Sequence, residues 1–212
     1  MPLFANENRF DAEIQAATAV FTAVPPGLCK AVIAAESAFN PEAVRGEPAI
    51  GDASYGLMQL LLKTARALGY TGPIENLKNP MVSIYYGCKL LAENYARARD
   101  WPDAISAYNG GFRPTLAFGT KATKPVRVCL SWTAPNVCGQ WRDVPVGEYA
   151  NQAYVTKVLR YRTYFDPKPL TLPKPGEVVE PYLPPTLPGG SVLPLFVLGA
   201  VGLAAVVLRG GR

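Results

Sequence analysis

The 212-residue sequence predicts a mainly α-helical domain with an inserted β-hairpin flap, followed by a proline-rich linker and a C-terminal transmembrane helix. Three observations carry that expectation. Apolar residues recur at helical spacing in blocks punctuated by proline and glycine. Two cysteines, Cys129 and Cys138, lie between alternating stretches where the helical pattern lapses. Beyond residue 165 the chain turns proline-rich and then wholly apolar.

Phe10, Ile14, Ala17 and Phe21 follow helical spacing until Pro25 and Pro26 end the run. A second helix begins at Pro26 or Gly27 and ends before Pro41, because a residue preceding proline is sterically pushed out of the helical region. Further helices are expected over residues 56–68, closed by Gly69, and over 80–99, where Met81, Ile84, Cys88, Leu91 and Tyr95 make an apolar stripe. A short helix over 102–108 stops at Gly110 and Gly111, and the last helix runs over 149–165.

Residues 112–148 read as the flap. VRVCLSW and VCGQWRDV alternate like hairpin arms, so a disulfide between Cys129 and Cys138 is expected, and with it an oxidising compartment. Cys29 and Cys88 lie among Leu, Val and Ile at helical spacing and read as small core residues left as thiols.

The domain is expected to span residues 1–165. Residues 166–191 form the linker, whose eight prolines dictate an extended, semi-rigid spacer. Residues 192–208 are 17 in number without a charge or strongly polar side chain, at the short limit for crossing a hydrocarbon core. A buried core helix is the alternative, but behind a long proline spacer it has no core to join. Arg209 and Arg212 make a basic tail that the positive-inside tendency places on the cytoplasmic side. The N-terminus, MPLFANENRFDAEIQ, carries acids and amides where an export signal has basic and apolar residues, so no conventional signal is expected.

Histidine is absent, which removes Ser-His-Asp and Cys-His chemistry and imidazole metal ligation together. No metal or cofactor is expected. The net charge of +5 is modest and scattered, with no basic run that marks a nucleic-acid arm. It suits mild attraction to anionic walls or lipids, or serves solubility.

In the second helix Cys29, Val32, Ile33 and Glu36 share one face, so Glu36 stands where the stripe calls for an apolar residue. Partial burial and a place near the helix C-terminus both raise a carboxyl pKa. A carboxylic acid protonated near neutral pH is what glycosidic cleavage asks of a general acid. A solvated glutamate closing an amphipathic helix is the ordinary alternative.

ESAFNP from Glu36, YGLMQ (Tyr55 to Gln59), KTARALGY from Lys63, AYNGG from Ala107 and YVTKVLRYRTYF from Tyr154 follow in that order. Together, over about residues 12–165, they resemble the lytic transglycosylase domain of the soluble-lytic-transglycosylase type, a lysozyme-like helical fold. The resemblance implies that Glu36 cleaves peptidoglycan glycan strands, protonating the oxygen between N-acetylmuramic acid and N-acetylglucosamine and then taking a proton from the muramoyl 6-hydroxyl. The product is a 1,6-anhydro sugar and no water is consumed, so one carboxylate suffices where ordinary glycosidases use two. It further implies that Gln59 hydrogen-bonds sugar, that Tyr108 and Asn109 line the site beside Glu36, and that Tyr154 closes it from the other side. Read singly, Tyr108 fits a core aromatic, Asn109 a helix end and Gln59 a surface amide; Met58 fits packing.

The segment EAVRGEPAIGDAS, some five residues longer than the family's usual connection, places Arg45 where a serine is common. Ser54 lies too far along to replace it plainly. Two other readings stand beside the first: a hydrolytic lysozyme of related fold in which Asp52 or Glu47 positions a water, and a non-catalytic glycan-binding component. A wall-cutting domain anchored in membrane lipid suggests delivery by a virion, or by a secretion or conjugation apparatus, whose proteins would be its partners.

Overall fold

The computed structural model describes residues 2–47, 50–134 and 137–166. The linker from residue 167 and the apolar segment 192–208 lie outside the described residues. Among the described residues no helix is long and apolar enough to cross a membrane.

Among the described residues six helices follow in order: α1 (Asp11–Val20), α2 (Pro26–Ser37), α3 (Leu62–Ala67), α4 (Pro80–Ala98), α5 (Trp101–Gly110) and α6 (Gln152–Phe165). Local chemistry sets their ends. Pro25 is extended and Pro26 opens α2, where its missing N–H and fixed φ cost nothing. Ala38 and Phe39, at φ 50° and 64°, take the chain out of α2 through the left-handed region. Asn79 caps α4 by accepting from the Met81 and Val82 N–H groups at 3.0 and 3.3 Å, and Asp100 caps α5 by accepting from Asp103 at 3.2 Å.

Helix α2 is the central element. Residues Gly27 to Ala34, Lys30 excepted, are buried nearly all round, against α6 on one side and α1 on another. Leu28, Val32 and Ile33 meet Ile84 and Leu91 of α4, Ile105 of α5 and Val155 and Val158 of α6 in one cluster. Each such fully buried aliphatic contributes about 1.5–3 kcal/mol. That packing fixes the far end of α2, where Glu36 stands.

Between α2 and α3 lies a small antiparallel sheet, β1 (Val44–Glu47), β2 (Asp52–Tyr55) and β3 (Leu60–Leu61), in the order β1-β2-β3. The helix expected over 56–68 is therefore corrected. It begins only at Leu62, because Gly56 and Gln59 hold φ of 75° and 47°, which no right-handed helix accommodates. A turn of 3-10 helix, Ile74–Lys78, leads into α4.

The hairpin forms as β4 (Val126–Ala134) and β5 (Val137–Val144), with Cys129 and Cys138 joined by a disulfide at a Cα separation of 5.7 Å. Cys29 and Cys88 are buried core residues, as expected, and the fold adds that their Sγ atoms lie 3.1 Å apart across α2 and α4. Alkylation should therefore spare Cys29 and Cys88 in the native chain and modify both after unfolding without reductant, while Cys129 and Cys138 react only after reduction. Peptide mapping checks this; a Cys29 and Cys88 pair that stays unreactive in unfolded, unreduced chain would show the two joined.

Candidate active site

Glu36 lies in the last turn of α2, on the side facing α6 and β1. The residue keeps some solvent exposure, yet protein surrounds its carboxyl closely enough that desolvation raises its pKa above the ordinary value of 4.5. Opposing that rise are, in order, a hydrogen bond from Tyr154 and the positive charges of Arg45 and Lys157; the carboxylate of Glu47 adds to it. Tyr154 Oη donates to Glu36 Oε1 at 2.6 Å, from a hydroxyl whose own pKa is driven well up by burial and by the neighbouring glutamate. The tyrosine thus remains a donor throughout the working range.

Loss of that donor gives a signed pH prediction. The Tyr154 bond favours the carboxylate, so Tyr154→Phe should raise the Glu36 pKa further and move the alkaline limb of the pH–rate profile upward. A limb that stays in place or moves toward acid would show that the hydroxyl does not govern Glu36.

The walls around Glu36 are tied to one another by polar side chains. Ser37 Oγ donates to the Leu57 carbonyl at 2.8 Å, and Tyr108 Oη donates to the Met58 carbonyl at 2.8 Å, so both pin the GLMQ turn. Lys157 Nζ donates to the Ala35 carbonyl at 2.8 Å, placing α6 against the carbonyl end of α2. Gly87 on α4 leaves the space that Met58 fills.

Of the residues singled out from the sequence, Glu36, Tyr154 and Tyr108 come together: burial and then the Glu36 charge raise the Tyr108 pKa. Gln59 is tied into its own surroundings. Its Nε2 donates to the Ala43 and Gly56 carbonyls at 3.1 and 3.0 Å, and its Oε1 accepts from Ser54 at 2.9 Å, which clamps the turn against β1 and β2. Both of its amide hydrogens are committed; only an oxygen lone pair is left for a sugar. Asn109 is exposed at the end of α5, with Oδ1 accepting from Asn151 at 3.1 Å.

Several site-building residues escaped the sequence reading. Asn151, buried, donates to the Ser106 carbonyl at 2.9 Å and accepts from Ser106 Oγ at 2.7 Å, seating the start of α6 on α5. Its place just before α6 was the available signal. Ser37 and Lys157 lie inside the ESAFNP and YVTKVLRYRTYF segments, but nothing in the sequence pointed to the carbonyls they hold. Ser54 pairs with Arg45 across β1 and β2 and is 2% exposed, so it serves Gln59 rather than a ligand. Among the described residues no group of three or more acidic or thiol side chains could hold a metal.

The profile of the Transglycosylase SLT domain family matches residues 13–124. The chain belongs to this family. The SLT match contains Glu36, Gln59, Tyr108 and Asn109, while Tyr154 and the hairpin lie beyond it. The chain is 40% identical over 98 residues to the Transglycosylase of Enterobacteria phage PRD1, which covers 46% of this chain and 33% of that protein. It is 36% identical over 95 residues to Protein IpgF of Shigella flexneri, covering 43% of this chain and 60% of that one. The chain thus spans between a third and three fifths of the length of these curated relatives. An inactive mutant of the lytic transglycosylase Slt from Pseudomonas aeruginosa has the same fold over 76% of this chain and 24% of its own, at 22% identity and a TM-score of 0.51. That likeness is one of fold: a lysozyme-like helical body with small sheets.

Proposed function

We propose that the chain is a peptidoglycan lytic transglycosylase that cleaves the β-1,4 bond between N-acetylmuramic acid and N-acetylglucosamine and leaves a 1,6-anhydro-N-acetylmuramic acid end. The observation that carries this reading is the environment of Glu36, a desolvated carboxyl with raised pKa that accepts a 2.6 Å bond from Tyr154. Neutral Glu36 donates its proton to the glycosidic oxygen as the bond to C1 breaks. The carboxylate left behind then takes the proton of the muramoyl 6-hydroxyl as that oxygen closes on C1. Tyr154 stabilises the carboxylate that exists between these two halves, and the substrate's acetamido group can stabilise the developing cation. Glu36 ends protonated again and no water enters.

Hydrolysis is the second reading, favoured by one observation: Glu47 is near enough to raise the Glu36 pKa. Against it, Glu47 is held by Arg45, whose Nε and Nη2 both lie 3.0 Å from Glu47 Oε1. Asp52 is not among the charges acting on Glu36. Digestion of sacculi in ¹⁸O-water separates the two, since transglycosylation leaves the new muramoyl end unlabelled and hydrolysis labels it.

The same proposal places residues 192–208 as a membrane anchor with the enzyme facing the wall, acting locally where a phage particle opens it. Support comes from the apolar run itself and from the phage PRD1 relative. Alkaline carbonate washing tests the anchor: release of the full chain would argue for docking into a partner protein instead.

A further inference from the structure

The hairpin turns one face to the body and the other to solvent. Val126 opposes Val144 and Val128 opposes Arg142. Val128 and Val144 are buried against Ala117, Phe118, Ala122 and Ala150, so this set of pairs faces inward. Pleat alternation therefore puts the intervening pairs, Arg127 with Asp143 and Cys129 with Trp141, on the outer face. The disulfide joins Cys129 to Cys138, and Cys138 stands opposite Trp132. Directly opposed residues share a face, and a disulfide can only link side chains of one face. The register shifts between Cys129 and Ser131, between Ser131 and Trp132 and between Trp132 and Ala134, so it is these pairings rather than the alternation that set Trp132, the disulfide, Trp141 and the Arg127–Asp143 pair in a single outward row.

Both indoles are left in water, 43% and 54% exposed, whereas the chain's third tryptophan, Trp101, is 6% exposed. The row is held rigid. The disulfide crosses it, and the Arg127 guanidinium lies 5.4 Å from the Trp141 ring centre. Its base is fastened to the body just ahead of α6, since Arg142 Nη1 donates to the Ala150 carbonyl at 3.0 Å.

We infer that this row is a secondary glycan-binding platform, on which sugars of a peptidoglycan strand stack outside the cleavage site. The inference rests on the substrate class proposed above. A β-linked pyranose presents an apolar C–H face rimmed by hydroxyl and acetamido groups. The indoles match the face, and Arg127 and Asp143 supply partners for the rim. A lipid surface fits less well, because Arg127 and Asp143, 3.8 Å apart with side chains 66% and 85% exposed, would have to leave water with the indoles.

The test uses the full chain carrying Glu36→Gln, so that the wall is not digested during binding. Co-sedimentation with insoluble sacculi should show an affinity about tenfold lower for the Trp132→Ala, Trp141→Ala double variant, and near-parental affinity for the matching Phe double variant. Non-reducing peptide mapping that still finds the Cys129–Cys138 bond, with a Tm close to the parent's, shows the loss to be local. Unchanged sacculus binding by the Ala double variant would overturn the platform. So would an indole-dependent loss of binding to phosphatidylethanolamine and phosphatidylglycerol vesicles while sacculus binding persists. Glu36-intact chain supplies the distinction from the cleavage reading: indole-dependent binding without product release would sink cleavage and keep the platform, and product release with indole-independent binding would do the reverse.

Discussion

Glu36→Gln should abolish glycan cleavage, by about a thousandfold or more, while raising the stability of the fold at neutral pH. The first effect follows because the amide keeps the side-chain volume and removes the only proton donor in the proposed reaction. The second follows from linkage. Burial raises the Glu36 pKa above 4.5, so the folded state holds its proton more tightly than the unfolded chain does. Whatever favourable contribution this proton makes is complete below the unfolded value and is lost as pH rises through the folded one. Above that window the folded chain carries a penalised carboxylate, which glutamine lacks. Thermal melts of the two chains should coincide near pH 3.5 and separate toward pH 8, the variant melting higher. Equal melts across the range would show that Glu36 is not desolvated, whatever the activity.

Gly56→Ala should cost about 2–5 kcal/mol, and activity with it. A Cβ at this position meets the Leu77 carbonyl oxygen and Ser83 Oγ at less than contact distance, and the backbone is already at φ 75°, where an alanine is strained. Backbone cannot yield as a flexible side chain does. Relief must come from moving the turn that carries Leu57, Met58 and Gln59, and with it the carbonyls that Ser37 and Tyr108 hold. Gly69→Ala is the control, since φ there is 91° and nothing lies within 4 Å of the added Cβ. Only the dihedral cost applies to it, about 1–2 kcal/mol. A Tm loss of roughly 5–15 °C is expected for Gly56→Ala and clearly less for Gly69→Ala. Equal losses would place the whole effect in the dihedral angle.

These two positions mark where the sequence could be read and where it could not. Glu36 was legible because it interrupts an apolar stripe on a helix whose proline boundaries are explicit, and the 3.6-residue period is a strong signal over 12 residues. The α4 stripe was legible for the same reason, and the cysteine-flanked arms by their alternation. The sheet was not. Its strands are VRGE, DASY and LL, too short and too little alternating to carry a period of two. GLMQLLLKTARAL imitates helical spacing, and only the positive φ values at Gly56 and Gln59, invisible in one sequence, break it. The engagement of Gln59 by Ser54, Ala43 and Gly56 depends on that sheet and was hidden with it. Lys157 and Asn151 act across elements far apart in sequence, where periodicity has no reach.

Family membership and the lysozyme-like body constrain the chemistry without choosing between transfer to the 6-hydroxyl and transfer to water. The Glu36 environment argues for the former, with a desolvated carboxyl, a tyrosine donor that steadies its ionised form, and the second acid acting on it, Glu47, engaged by Arg45. Mass analysis of the fragments released from purified peptidoglycan tests that argument most directly, comparing the full chain with its Glu36→Gln variant. The account predicts fragments ending in 1,6-anhydro-N-acetylmuramic acid from the parent and none from the variant. Reducing ends from the parent, or anhydro ends from the variant, would contradict it.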